Sequence, residues 1–271
     1  MPDHYFERCS SQDAPVFEGV EFVEIATRNR EAVEAFLVSL GFRAQAKHRS
    51  KEVTLFRQGT INLLVNSTEG SFAADYATRQ GSAVCALGLR TPNASSAYQN
   101  LVARGAWETA TSAGAMELNI PAIEAIGGSQ IYLIDRYAEG ISIYDIDFKA
   151  VPDETEDPGL LQELTELGLM MEPERQAPWR DFFRHLFGLQ SDAADCLVID
   201  THTLLRLQDS GRPDLVDERI DTLVFSTADL EKLKRHLAKQ GLQLKAVEGV
   251  KGVFEVLSPS DILSIRIHIA S

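Results

Sequence analysis

Short apolar runs recur along the chain, and each is followed by a turn and then by apolar positions at helical spacing. The run Val84 to Leu89 leads through Thr91-Pro92-Asn93 into a predicted helix that Gly105 would end. The run Ile220 to Phe225 leads in the same way into a predicted helix that Gly241 would end. Polar residues such as Asn favour the N-cap, and Gly favours the position just past a helix. The same local design therefore occurs once in each half of the chain.

The design also opens each half, in the segments GVEFVEIATRNREAVEAFLVSLGF (19–42) and LLQELTELGLMMEPERQAPWRDFFRHLFGL (160–189). Segments of alternating apolar and polar residues follow both, which predicts strands. The turns predicted between these strands lie at Gln58-Gly59, Glu139-Gly140, Asp200-Thr201 and Pro259-Ser260-Asp261. The last strands of each half are expected to form a hairpin around the second and the fourth of these turns.

A strand–helix–strands unit of about 60 residues is thus used four times, in two pairs. One unit alone cannot bury both its helix and its sheet, so two units are expected to curl together into an open cup. The predicted fold class is α+β, with paired βαβββ modules in two half-open β-barrel (cup) domains and the helices outside. We place the cups at 15–149 and 159–271, after a flexible lead-in (1–14) and around an acidic linker (150–158).

Composition and charge limit the classes of partner that the protein is expected to bind. The chain has a net charge of −14 with no basic run, which argues against nucleic acid and anionic membranes. No apolar run approaches the roughly 18 residues that span a bilayer. Cys9, Cys85 and Cys196 fit neither a zinc spacing nor a disulfide framework, so we expect a cytoplasmic protein.

Three longer motifs carry a resemblance to a known family. They are HRSKEVTLFRQGTINLLVN (48–66), GAMELNIPAIEAIGGSQIYLIDRY (114–137) and SIYDIDF (142–148). Together they closely resemble the amino-terminal half of bacterial 4-hydroxyphenylpyruvate dioxygenase, a family of the vicinal oxygen chelate superfamily. The resemblance is strong over 15–149 and weak over 159–271, where the module pattern and fragments such as WRDFFRHLFGL carry it.

The resemblance implies a particular metal site in the second half. In that family, two histidines and one glutamate hold Fe(II) there and leave positions open for an α-keto acid and O2. The three ligand positions fall here on Glu163, Thr222 and Arg266. A threonine hydroxyl is a poor Fe(II) ligand, and an arginine stays protonated and repels a dication. His268 faces the same side as Arg266, but no histidine lies near the other two positions, so no catalytic residue, metal ligand or cofactor is predicted.

Two interpretations of Arg266 stay open from the sequence. It either forms a structural ion pair with Glu163, with Thr222 as a hydrogen-bond neighbour, or it binds a carboxylate in a pocket formed by these three residues. The favoured functional hypothesis is a non-catalytic or metal-independent relative that binds a small aromatic or keto acid. The alternative is an active Fe(II)-dependent dioxygenase that converts 4-hydroxyphenylpyruvate to homogentisate, or a related vicinal oxygen chelate enzyme. A homodimer or a higher oligomer is expected in either case.

Overall fold

The structure is a computed structural model that describes residues 14–109, 117–152, 159–193, 195–209, 218–257 and 262–270. The first half contains, in order, β1 Gly19–Ala26, α1 Arg30–Ser39, β2 Arg43–His48, β3 Val53–Gln58, β4 Ile61–Asn66, α2 Phe72–Gln80, β5 Ala83–Arg90, α3 Ala94–Ala103, β6 Ala122–Glu124, β7 Gln130–Ile134, α4 Ile143–Asp147 and β8 Phe148–Ala150. The second half contains β9 Leu164–Met171, α5 Gln176–Phe187, β10 Gln190–Ala193, β11 Cys196–Val198, β12 Leu204–Asp209, β13 Arg219–Ser226, α6 Leu230–Lys239, β14 Gln243–Ala246, β15 Val253–Leu257 and β16 Arg266–Ala270.

Helices begin at the polar residues expected to cap them. The Asn93 side chain accepts a hydrogen bond from the backbone of Ser96 at the start of α3, and Asp229 accepts one from Lys232 at the start of α6. These bonds satisfy backbone N–H groups that have no partner inside a helix. Helix α6 then buries Leu233 and Leu237 on one face. The sequence prediction of these two helix starts is confirmed.

The strand pairing repeats between the halves. In the first half, β1 runs parallel to β4 and antiparallel to β5, and β5 runs parallel to β7. In the second half, β9 runs parallel to β12 and antiparallel to β13, and β13 runs parallel to β16. We call the concave face of the first set the first cup and that of the second set the second cup. The predicted α+β fold of paired modules is confirmed.

The strands of the described residues form one continuous sheet. The halves meet where β5 and β13 pair at Val84 and Ile220. One hydrophobic core contains residues of both halves, among them Leu87 and Leu223. The predicted domain limits stay predictions, because 1–13 and 153–158 lie outside the described residues.

One predicted hairpin is wrong. The chain does not turn back at Glu139-Gly140, because β7 pairs with β5 and β6, whereas β8 pairs with β2. Between them lies the short helix α4, whose first turn is closed by reciprocal bonds of Ser142 and Asp145. The turns at Gln58-Gly59 and Asp200-Thr201 are confirmed as links of antiparallel pairs. The turn predicted at Pro259-Ser260-Asp261 falls outside the described residues, although β15 and β16 pair as expected.

Within the described ranges, no helix has the length and the apolar character that crossing a membrane requires.

Candidate functional site

Two of the three predicted site residues lie side by side in the second cup. Thr222 on β13 pairs with Arg266 on β16, and on its other side it pairs with Gly168 on β9. A Cβ atom at Gly168 would lie 2.9 Å from the Cβ of Thr222. Glycine therefore allows β9 and the Thr222 side chain to approach closely at this point.

Arg266 is held by a buried carboxylate on the next strand. Its Nε donates to Oδ2 of Asp221 at 2.7 Å, and its Nη2 donates to Gln208 at 3.0 Å. Arg219 donates to the other oxygen of Asp221 through Nε and Nη2, at 3.3 and 3.1 Å. The Asp221 side chain is only 5% exposed, whereas that of Arg266 is 45% exposed. Two guanidinium groups thus share one carboxylate, which leaves an excess positive charge at this point of the cup.

Charged groups of both signs lie near this cluster. Glu166 and Arg206 form a two-bond pair at 2.7 and 2.6 Å, so their own charges balance. His268 lies two residues past Arg266. Burial and the charge of Arg266 lower the pKa of His268, and Glu255 with other nearby carboxylates opposes this only in part. A lowered pKa favours the neutral imidazole at neutral pH.

Glu163 lies apart from this cluster. Its backbone oxygen accepts from the N–H of Ser226, which is four residues beyond Thr222 and therefore about 13 Å along the strand. The Glu163 carboxylate is 3.6 Å from Nδ1 of His202 and lines a cavity of about 290 Å³ that contains residues of both halves. The expected ion pair of Arg266 with Glu163 is wrong, since Arg266 pairs with Asp221.

Asp221 was not among the residues predicted from the sequence, although it directly precedes Thr222. In a regular strand, adjacent side chains point to opposite faces, so Asp221 would not be expected beside Thr222. The pairing of β13 with β9 shifts its register between Ile220 and Thr222. The Thr222 hydroxyl then donates to the Asp221 carboxylate at 3.3 Å. Such a shift leaves no mark in the alternation of apolar and polar residues.

The side chains at the three predicted positions do not form a suitable set of metal ligands. Thr222 and Arg266 offer one hydroxyl and one cation, and Glu163 is distant from both. In the part of the chain that the structure describes, no three His, Cys, Asp or Glu side chains come together as metal ligands. Fe(II) in proteins is typically held by imidazole and carboxylate groups, and neither Thr222 nor Arg266 supplies one.

The paired modules and the two cups place the chain in the vicinal oxygen chelate superfamily, and comparison with known proteins narrows the class. The family model described as "Hydroxyphenylpyruvate dioxygenase, HPPD, N-terminal" matches residues 13–149. Since this match covers half of the sequence, the chain belongs to that family.

Individual relatives and a solved structure are also similar to this chain. The chain is 38% identical to the 4-hydroxyphenylpyruvate dioxygenase of Pseudomonas sp. (strain P.J. 874) over 174 residues, which are 64% of this chain and 49% of the relative. It is 35% identical to the 3-dehydroshikimate dehydratase of Pseudomonas aeruginosa over 182 residues, 66% of this chain and 28% of the relative. A solved xylose isomerase-like TIM barrel/4-hydroxyphenylpyruvate dioxygenase fusion protein superposes with a TM-score of 0.79 at 23% identity, over 96% of this chain and 50% of that chain.

The chain spans half or less of the length of each of these proteins. The resemblance inferred from the three motifs is confirmed, and the likeness to the fusion protein shows the fold alone. The cytoplasmic location, the homodimer or higher oligomer and the exclusion of nucleic acid and membranes stay predictions.

Proposed function

We propose that the protein is a metal-independent relative of 4-hydroxyphenylpyruvate dioxygenase whose second cup binds a small carboxylate, such as a keto acid. The observation that carries this proposal is the sharing of buried Asp221 by Arg219 and Arg266. One carboxylate neutralises one guanidinium, so the pair of arginines attracts a second anion. The Arg266 side chain is 45% exposed, so an anion from solvent can reach it.

Arg266 has the geometry of a carboxylate receptor. Its Nε and Nη2 are occupied by Asp221 and Gln208, while its Nη1 has no partner among the described residues. A guanidinium that is already fixed loses little conformational entropy when it binds a ligand. The half-exposed side chain therefore presents free N–H donors from a fixed position.

The alternative is an active Fe(II)-dependent 4-hydroxyphenylpyruvate dioxygenase. Bound iron would supply the open positions at which a keto acid and O2 meet. Neither Thr222 nor Arg266 is a suitable ligand for that iron, so we derive no step through it. The two hypotheses differ in the need for metal and in the role of Arg266.

Calorimetric titration with pyruvate and with phenylpyruvate tests the proposal. We expect saturable binding that Arg266→Ala weakens by about tenfold to hundredfold, because charge-assisted hydrogen bonds contribute about 1.5–3 kcal/mol. Arg175→Ala is the matched control, since Arg175 is also half exposed and pairs with Glu218 outside the second cup. Equal binding by wild type and Arg266→Ala would contradict the proposal.

Measurement of the metal content distinguishes the proposed metal-independent protein from an active dioxygenase. The protein is incubated anaerobically with Fe(II), desalted and analysed for iron, and oxygen uptake is then followed with 4-hydroxyphenylpyruvate. We expect neither retained iron nor oxygen uptake, and no rise in the melting temperature with Fe(II), Mn(II) or Zn(II). Stoichiometric iron with oxygen uptake would establish the dioxygenase instead.

A further inference from the structure

The first cup contains a cavity of about 280 Å³ that is separate from the arginine cluster of the second cup. Small-molecule sites begin at roughly this size, at about 300 Å³. Its walls carry rings and branched side chains, namely Phe22, Leu64, Tyr132, Ile143 and Phe148. Such walls favour a ligand with a flat apolar body.

The floor of this cavity carries buried polar groups. Glu24 on β1 is 8% exposed, and Gln130 on β7 is also buried. Asn66 donates to Oε1 of Glu24 at 2.7 Å, and the amide of Gln130 donates to the hydroxyl of Thr109 at 2.8 Å. Ala86 on β5 pairs with both Glu24 and Gln130, so a methyl group separates the two polar side chains. The floor therefore offers a carboxyl and an amide with open space above them.

Two further groups on the walls can donate a hydrogen bond to a ligand. The Tyr132 hydroxyl has no hydrogen-bond partner within the described residues, and burial raises its pKa, so it stays protonated. Nδ1 of His48 accepts from the backbone N–H groups of Ser50 and Lys51 at 3.3 and 3.2 Å. The proton of a neutral His48 ring is therefore on Nε2.

The charges of the cavity disfavour an anionic ligand. Glu24, Glu117 and Asp147 all line it, and the one lysine among its lining residues, Lys51, pairs with Glu117 at 2.9 Å. A carboxylate on the ligand would be repelled by these like charges. A hydroxyl on the ligand can instead donate to a carboxylate and accept from a tyrosine.

We infer that the first cup is a binding site for a small uncharged aromatic ring that carries hydroxyl groups. The ring packs among Phe22, Leu64 and Phe148, and its hydroxyl groups bond with Glu24 and Tyr132. This site does not depend on the carboxylate site of the second cup, because the two share no residue.

Titration of the whole chain with catechol, followed by ligand-observed NMR, tests the inference. We expect saturable binding that Tyr132→Phe and Glu24→Gln each weaken by about fivefold to tenfold, as the loss of one hydrogen bond predicts. Tyr98→Phe is the matched control, because it removes a hydroxyl that bonds with Glu108 outside the cavity. Toluene and benzoate, which lack the hydroxyl donors or add a charge, should bind at least fivefold more weakly than catechol.

Three results would overturn the inference: no saturable binding of catechol, unchanged binding by both variants, or equal binding of benzoate. Melting curves check that each variant is folded. Tyr132→Phe keeps the test decisive if Glu24→Gln fails to fold, since the lost hydroxyl has no partner among the described residues. Arg266→Ala should leave catechol binding intact, and its loss there would place the ligand in the second cup.

Discussion

Asp221 is a buried carboxylate that serves two arginines, one on its own strand and one on the next. The substitution Asp221→Asn would leave Arg219 and Arg266 close together without their shared counter-charge. We expect it to lower the free energy of unfolding by about 2 kcal/mol, less than for a fully buried pair because Arg266 is half exposed. Urea denaturation measures the change.

The control for Asp221→Asn is Glu231→Gln, which removes the carboxylate of a surface pair with Lys234. Exposed pairs contribute less than about 1 kcal/mol. Similar losses in the two variants would show that the shared carboxylate has no special effect on stability.

Glu24 is a buried carboxyl in the first cup that makes the free energy of unfolding depend on pH. Burial raises the pKa of Glu24 above its ordinary value of 4.5, and the hydrogen bond from Asn66 only partly opposes this. The folded state therefore binds the proton more tightly than the unfolded state, so this group favours folding less as pH rises above 4.5. Glu24→Gln should be more stable than wild type at pH 7, and the difference should shrink toward pH 4.5.

Urea denaturation at several pH values measures the effect of Glu24→Gln. The control is Glu69→Gln, which makes the same change at an exposed position. A stability difference that stays constant with pH would contradict the assignment to the buried carboxyl.

Helix α4 is the element that the sequence pattern concealed. Its five residues follow the N-cap Ser142, whose side chain accepts from the backbone of Asp145 while the Asp145 carboxylate accepts from the backbone of Ser142. Ser142→Ala should lower the free energy of unfolding by about 1 kcal/mol, as the loss of an N-cap usually does. Ser95→Ala, on the exposed face of α3, should cause no comparable loss because Asn93 and not Ser95 caps that helix. Thermal unfolding compares the two, and equal effects would mean that the cap is unimportant.

Helices and strands could be predicted from short stretches of sequence, because neighbouring residues decide them. Contacts between residues far apart in the sequence could not be predicted in this way. Asn93 and Asp229 marked their helices because an N-cap is decided within four residues. The partner of Arg266 depends on a register shift in β13, and pairing across strands is decided by the whole sheet. The alternation in SIYDIDF indicated a strand, yet the cap at Ser142 directed the segment into a helix.

Gly127 lies at a close contact between the two halves of the molecule. It has a φ of +62°, and a Cβ atom there would lie 1.8 Å from the backbone oxygen of Glu218, which directly precedes β13. Gly127→Ala should therefore lower the free energy of unfolding by about 3 kcal/mol, through backbone strain and displacement of β13. Urea denaturation measures it.

The matched control for Gly127→Ala is Gly140→Ala. Gly140 has a φ of +80°, and a Cβ atom added there would meet no other atom within 4 Å, so only backbone strain of about 1 kcal/mol should remain. If the two variants lost equal stability, the close contact of Gly127 with the second half would have no energetic weight.

The pairing of Val84 with Ile220 has a consequence for how the molecule melts. Strand β5 of the first cup pairs with strand β13 of the second cup. Unfolding of either cup would therefore expose an unpaired strand edge on the other. We expect a single heat-absorption peak in scanning calorimetry, with equal calorimetric and van't Hoff enthalpies. Two resolved peaks would mean that the cups melt one after the other.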